Sequence, residues 1–149
     1  MAALDLAPNA LDAATIDKLL DVRFPQIHAN GRNFIEEVTP QLTKVRLKAD
    51  DRNIRPGGTV SGPAMFTLAD YSIYVAIIGR LGESGIDAVT TNMNISFLAK
   101  PEAGDILCQV RLLRVGRKLA VAEAELTSCV TGKIVARAIA TYALPMQVK

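Results

Sequence analysis

Residues 61–79 read SGPAMFTLADYSIYVAIIG, and this stretch decides the fold. Ser61 is a helix-capping residue type, and Pro63 suits the first turn, where its missing N–H has no helical partner to lose. The helix that follows is apolar on every side up to Gly79. Such a helix is either a membrane span or the centre of a soluble fold, and about 17 residues with Asp70 in the middle favour the second. Sheet must then wrap around it.

The flanking sequence supplies that sheet. Residues 41–49 switch to period two, with Val45, Leu47 and Ala49 opposite Lys44, Arg46 and Lys48. A polar, Gly- and Pro-containing loop over 50–58 leads into the helix. After it, residues 89–98 alternate Met93, Ile95 and Phe97 against Asn92, Asn94 and Ser96, and residues 101–105 form a turn. Three further alternating runs start at Ile106, Ala120 and Ile134 and end near Gly116, Leu126 and Leu144. Four sequential strands with short turns predict an antiparallel meander, and the alanines of the last two let a helix backbone approach closely. Upstream, Thr15 is a candidate N-cap, and Ile16, Leu19 and Leu20 repeat at helical spacing until Phe24-Pro25 stops the run. The fold class is α+β: one short N-terminal helix, a strand, a long central helix and four strands in a single domain over 1–149, with 1–40 a helical extension of it.

Composition excludes several chemistries. The chain has 149 residues, 50% of them hydrophobic, so it can bury a sizeable core. Seventeen Lys and Arg against 15 Asp and Glu give a formal charge of +2, too little to indicate nucleic acid, and there is no Trp to stack bases. Cys108 and Cys129 stand 21 positions apart without paired ligands, so no zinc site is expected. The single histidine, His28, lies in the polar run HANGRN and reads as an exposed loop residue rather than a member of a catalytic triad. Residues 1–8 lack the basic start of a signal peptide, and the thiols are expected to be reduced in a soluble, cytoplasmic protein.

Asp70 is the only charged residue between 59 and 79. An isolated buried carboxylate costs several kcal/mol, on the order given for buried ions. Two readings follow. Either Asp70 caps a helix break or pairs with a core arginine, or the helix runs along a cleft, often a subunit interface, into which Asp70 projects as a base or nucleophile. The glycines before the helix bring free amides to its N-terminus, where an oxyanion is favoured. As a phosphate loop this segment fails, because Pro63 and Ala64 stand where Lys and Ser or Thr are needed. Likewise GESGI at 82–86 lacks the last glycine of a nucleophile elbow. Eight helical residues separate Gly62 from Asp70, about 12 Å at ~1.5 Å per residue, too far to serve one carbonyl group from a single chain.

The blocks SGPAMFTLAD (61–70), TTNMNISFLAKP (90–101), VGRKLAVAEAEL (115–126) and GKIVARAIATYALP (132–145) resemble the hotdog-fold acyl-CoA thioesterases of the phenylacetate-degradation type. The resemblance implies a hotdog fold assembled as homodimers or homotetramers and hydrolysis of an acyl-CoA thioester with no cofactor beyond the coenzyme A of the substrate. It matches Asp70 to the family acid, Gly62 to the glycine whose amide polarises the carbonyl, and Thr90 to the hydroxyl that helps hold the attacking water. Ser61 and Pro63 replace the histidine and second glycine of the family's His-Gly-Gly, and Arg55 replaces an asparagine present in some members, with Asn53 nearby. Ser61, Asn92, Tyr71 and Tyr74 are candidate substrate-binding residues, with Ile77 a further pocket candidate. Arg117 and Lys118, in the turn after Gly116, are candidates for the coenzyme A phosphates. A non-catalytic acyl-CoA-binding domain and an acyl-thioester dehydratase or hydratase are the alternatives, the latter disfavoured by the lack of a histidine after residue 28.

Overall fold

The computed structural model describes residues 10–29 and 31–146. Its element order is α1 (Ala13–Arg23), a 3-10 turn (Pro25–His28), β1 (Asn33–Val38), β2 (Thr43–Leu47), α2 (Gly62–Leu81), a second 3-10 turn (Glu83–Asp87), β3 (Val89–Phe97), β4 (Ile106–Val115), β5 (Leu119–Ser128) and β6 (Ile134–Ala143). The six strands form one antiparallel sheet in the order β1-β2-β4-β5-β6-β3, packed on α2. This is the hotdog arrangement of a sheet around a central helix.

Helix α2 is capped as its sequence demands: the Ser61 hydroxyl accepts the Ala64 amide at 3.2 Å, and Gly82, at φ 80°, closes the far end. By length and composition α2 could cross a membrane, but 67% of its most apolar window is buried inside this fold. Residues 71–79 are all buried. The alanine stripes meet the expectation: Ala120, Ala122 and Ala124 of β5 and Ala136, Ala138 and Ala140 of β6 are at most 2% exposed. Small side chains there bring sheet and helix backbones together. At the other edge, a Cβ on Gly79 would stand 2.5 Å from Val38 Cγ1, so only glycine lets α2 lie this close to β1.

Four expectations need correction. The last four strands are not a meander: β3 pairs with β6 rather than β4, which instead pairs with β2. Local alternation fixes where strands lie but not which neighbours they take, and here α2 delivers the chain to the far edge of the sheet. Residues 33–38, expected within a helical extension, form the edge strand β1, whose alternation is blurred by Glu36 and Glu37 at a bulge. The cap of α1 is Asp12, not Thr15; its carboxylate accepts the Thr15 amide at 2.8 Å. His28 ends a 3-10 turn with its side chain only 11% exposed, packed edge-on against Tyr71.

Candidate active site

Asp70 sits two turns into α2, half-buried, at the floor of a cavity of about 450 Å³ walled by Tyr71, Tyr74, Thr90, Tyr142 and Ile27. The helix runs unbroken through it, and among the described residues no cation pairs with it, so neither capping nor an arginine partner explains it. Two hydroxyls do. Thr90 Oγ1 donates to Asp70 Oδ1 at 2.8 Å, and the Tyr142 hydroxyl donates to the same oxygen while lying 2.9 Å from the Asp70 carbonyl oxygen. Asp70 Oδ2 has no protein partner among the described residues.

A bulge aims Thr90. Thr90 pairs with Tyr142 and Asn92 with Thr141, leaving Thr91 as the extra residue. In a regular strand Thr90 would share the outer face of Asn92, Asn94 and Ser96; the inserted residue turns it inward beside the buried Tyr142. Tyr142 is the residue of this candidate site that sequence reasoning missed. Its signal was an aromatic at the end of an alanine face, legible only once β6 is known to pair with β3.

Tyr71 and Tyr74 both wall the cavity. The Tyr74 hydroxyl is spent on the Ile86 carbonyl at 2.7 Å, its ring stacks on Tyr142 at 6.5 Å, and burial pushes its phenol up to about 12. The Tyr71 hydroxyl is buried without a hydrogen-bond partner among the described residues, and burial likewise raises its pKa. Ile77, 1% exposed, is core and not a wall of this cavity.

Gly62 opens a different cavity of about 330 Å³ with Arg55, Thr59, Met65 and Phe97. Its amide begins α2 without an acceptor among the described residues, and Pro63 has no N–H to share the task. Ser61 is occupied as the cap. Asn53 and Arg55 shape the loop before it: the Ser61 amide bonds the Asn53 carbonyl at 2.7 Å, and Arg55 reaches the Gly62 cavity. Asn92 lies on the outer face of the sheet with Glu123 and Arg137, away from Asp70. Arg117 and Lys118 are exposed in the turn between β4 and β5. Register places that turn at the end of the sheet nearest Asp70, because Val115, Ala120, Tyr142 and Thr90 form one row across β4, β5, β6 and β3. One chain therefore joins Asp70, Thr90 and Tyr142, and leaves Gly62 at the opposite end of the exposed strand β3.

The comparisons with known proteins agree with this architecture. The sequence profile of the thioesterase superfamily matches residues 57–133, which span the end of the loop before α2, the helix and the strands β3, β4 and β5. A candidate thioesterase from Silicibacter sp. TM1040 superposes with a TM-score of 0.81 at 40% identity, covering 95% of this chain and 96% of that one. Zebra fish thioesterase superfamily member 2 gives 0.75 at 27% identity over 91% of this chain and all of that one. Mouse acyl-coenzyme A thioesterase 13 is 28% identical over 109 residues, 69% of this chain and 76% of the relative. With the profile covering more than half of its length, including the helix that carries Asp70, this chain belongs to the thioesterase superfamily.

Proposed function

We propose that this protein is an acyl-CoA thioesterase of the phenylacetate-degradation type, acting as a homodimer or a pair of dimers, with Asp70 as general base. The observation that carries this reading is an otherwise unpaired carboxylate, aimed by two hydroxyls, on the floor of an apolar cavity. Water held beside Asp70 Oδ2 and Thr90 attacks the thioester carbonyl and passes its proton to Oδ2. The oxyanion takes the free Gly62 amide, aided by the positive end of α2. Collapse of the tetrahedral intermediate breaks the C–S bond, and the proton returns from Asp70 to the departing thiolate. The products are a carboxylic acid and free coenzyme A. Arg117 and Lys118 suit the phosphates of the coenzyme, and Tyr71 and Tyr74 the acyl group. The relatives named acyl-coenzyme A thioesterase 13 support the substrate class.

Two chains make this geometry work. Strand β3 is a nine-residue edge without a charged side chain, with Val89 59% and Phe97 51% exposed and Leu98, just beyond it, 57% exposed. An edge of that kind is a template for pairing. Antiparallel pairing of two β3 strands about Met93 brings the Phe97 end of one, with its Gly62, to the Thr90 end of the other. Each site then takes Asp70 and Thr90 from one subunit and Gly62 of the partner subunit, which removes the ~12 Å obstacle along one helix.

A panel of short, medium and aromatic acyl-CoA thioesters read by thiol release tests the reading. Turnover by the wild type and its loss in Asp70→Asn are expected. No release from any member would leave a non-catalytic acyl-CoA-binding protein instead. A dehydratase fits less well, because His28 does not line the Asp70 cavity.

A further inference from the structure

Resting on the reading of Asp70 as the base, we infer that Tyr142 is a positioning residue of the reaction: its hydroxyl and that of Thr90 together fix Asp70 Oδ1, so that Oδ2 alone is presented to water. A carboxylate on a helix surface turns about its side-chain torsions and exchanges its two oxygens. Donors converging on one oxygen from two strands stop that rotation. Thr90 comes from β3 and Tyr142 from β6, and the sheet holds them as register partners. The row fixes the backbone positions from which both hydroxyls reach Asp70.

Tyr142 is suited to the task. It is 2% exposed, with its ring stacked on Tyr74. Burial and the Asp70 carboxylate beside it both push its proton release far above the ordinary range, so it remains a donor wherever Asp70 is ionised. Besides Tyr142, the other titratable groups facing the cavity are Tyr71 and Tyr74 of α2; the remaining wall residues, Phe24, Ile27, Thr67, Ile86, Ala88, Val89 and Thr90, carry no charge. Asp87 and Arg23 lie beyond Tyr74, and Asp17, Asp21 and Arg32 beyond Tyr71. Among the described residues no cation and no second carboxylate lines this cavity.

During turnover the proton taken from water resides on Oδ2 and leaves on the thiol, while Tyr142 keeps its own proton and its bond to Oδ1 throughout. A purely structural tyrosine would need only the Asp70 carbonyl oxygen at 2.9 Å. Tyr142→Phe keeps the ring but removes the hydroxyl from both Asp70 oxygens, so the comparison of kcat with thermal stability is what separates the two roles. The expected result is a fall in kcat of roughly 10- to 100-fold, as for loss of a hydrogen bond to a charged group, with KM changed less than about twofold. Unchanged kcat, or equal losses in kcat and thermal stability that an unrelated core variant reproduces, would overturn the inference.

A second measurement does not depend on turnover. The Tyr142 hydroxyl proton should give a slowly exchanging, downfield proton resonance that is absent from Tyr142→Phe and moves upfield in Asp70→Asn. A resonance indifferent to Asp70→Asn would overturn the inference even if the Phe variant fails to fold. A wild type that releases no thiol but shows the Asp70-dependent resonance would remove the thioesterase reading while leaving the contact in place.

Discussion

Thr90 and Tyr142 face each other across β3 and β6, and their hydroxyls meet on one oxygen of Asp70. The pair exists because Thr91 is an extra residue in β3, which turns Thr90 from the solvent face to the helix face. Thr90→Val keeps the branched shape and removes the donor. It is expected to lower kcat by roughly 10- to 100-fold, and by more in a Tyr142→Phe background, where no donor remains on Oδ1. Steady-state kinetics of the two single variants and the double variant measure this coupling. Strict additivity would mean that the hydroxyls do not share a task.

Gly79 sets the distance between α2 and β1. A methyl group there would stand 2.5 Å from Val38 Cγ1, well inside contact distance. Gly79→Ala gains helix propensity, worth up to about 1 kcal/mol, but must push strand and helix apart. Overpacking of this kind costs about 1–3 kcal/mol, so net destabilisation is expected. Denaturant unfolding checks the sign. The double variant Gly79→Ala/Val38→Ala should recover part of the loss by removing the clashing methyl groups.

The elements of this fold were largely legible in the sequence, and their arrangement only partly. The all-apolar run around Asp70 required a central helix, and the alanine alternation of residues 120–124 and 136–140 identified the strands against it. Pairing was not legible. Alternation reports which face of a strand is buried and nothing about its neighbour, so β3 was assigned beside β4, although α2 carries the chain to the opposite edge. That error hid Tyr142, whose role depends on lying beside Thr90. The inward aim of Thr90 was hidden for the same reason, since a bulge breaks the period-two rule at one residue. Asp70 stood out on physical grounds alone, being the one charge in an apolar helix. The helix start at Gly62 was legible as an oxyanion site from its free amides, its specific role came from family resemblance, and Thr90 was legible only through that resemblance.

His28 gives the fold a pH dependence. Its imidazole packs on Tyr71, Nε2 has no hydrogen-bond partner among the described residues, and the cost of burial holds its pKa below the ordinary value, with Arg32 adding to the effect against the weaker pull of Asp21 and Asp17. The unfolded chain therefore binds this proton more readily than the folded one. Stability associated with His28 is complete above the unfolded pKa, near 6.5, and is lost as pH falls from there through the depressed folded value. Chemical denaturation at pH 7.5, 6.5 and 5.5 should show a decline on the acid side. In His28→Phe the decline should be smaller, because only the titration of His28 has been removed.

The assignment of Gly62 and Asp70 to different subunits can be tested by mixing two inactive proteins. Gly62→Pro deletes the proposed oxyanion donor, and proline is tolerated at the first position of a helix; the preceding Ser61, at φ −72° and ψ 154°, already has the extended backbone a following proline requires. Asp70→Asn deletes the proposed base. Each homodimer should be close to inactive. A heterodimer carries one site with both defects and one with an intact Asp70 opposite an intact Gly62. Unfolding and refolding an equal mixture therefore restores roughly a quarter of wild-type activity, since half of the random dimers are heterodimers with one working site in two. If each site is built within one chain, the mixture stays as inactive as its parents. Leu98→Glu supplies the control: an acidic side chain at this exposed end of the β3 edge should weaken self-association and abolish the complementation, with size-exclusion chromatography following the change in mass.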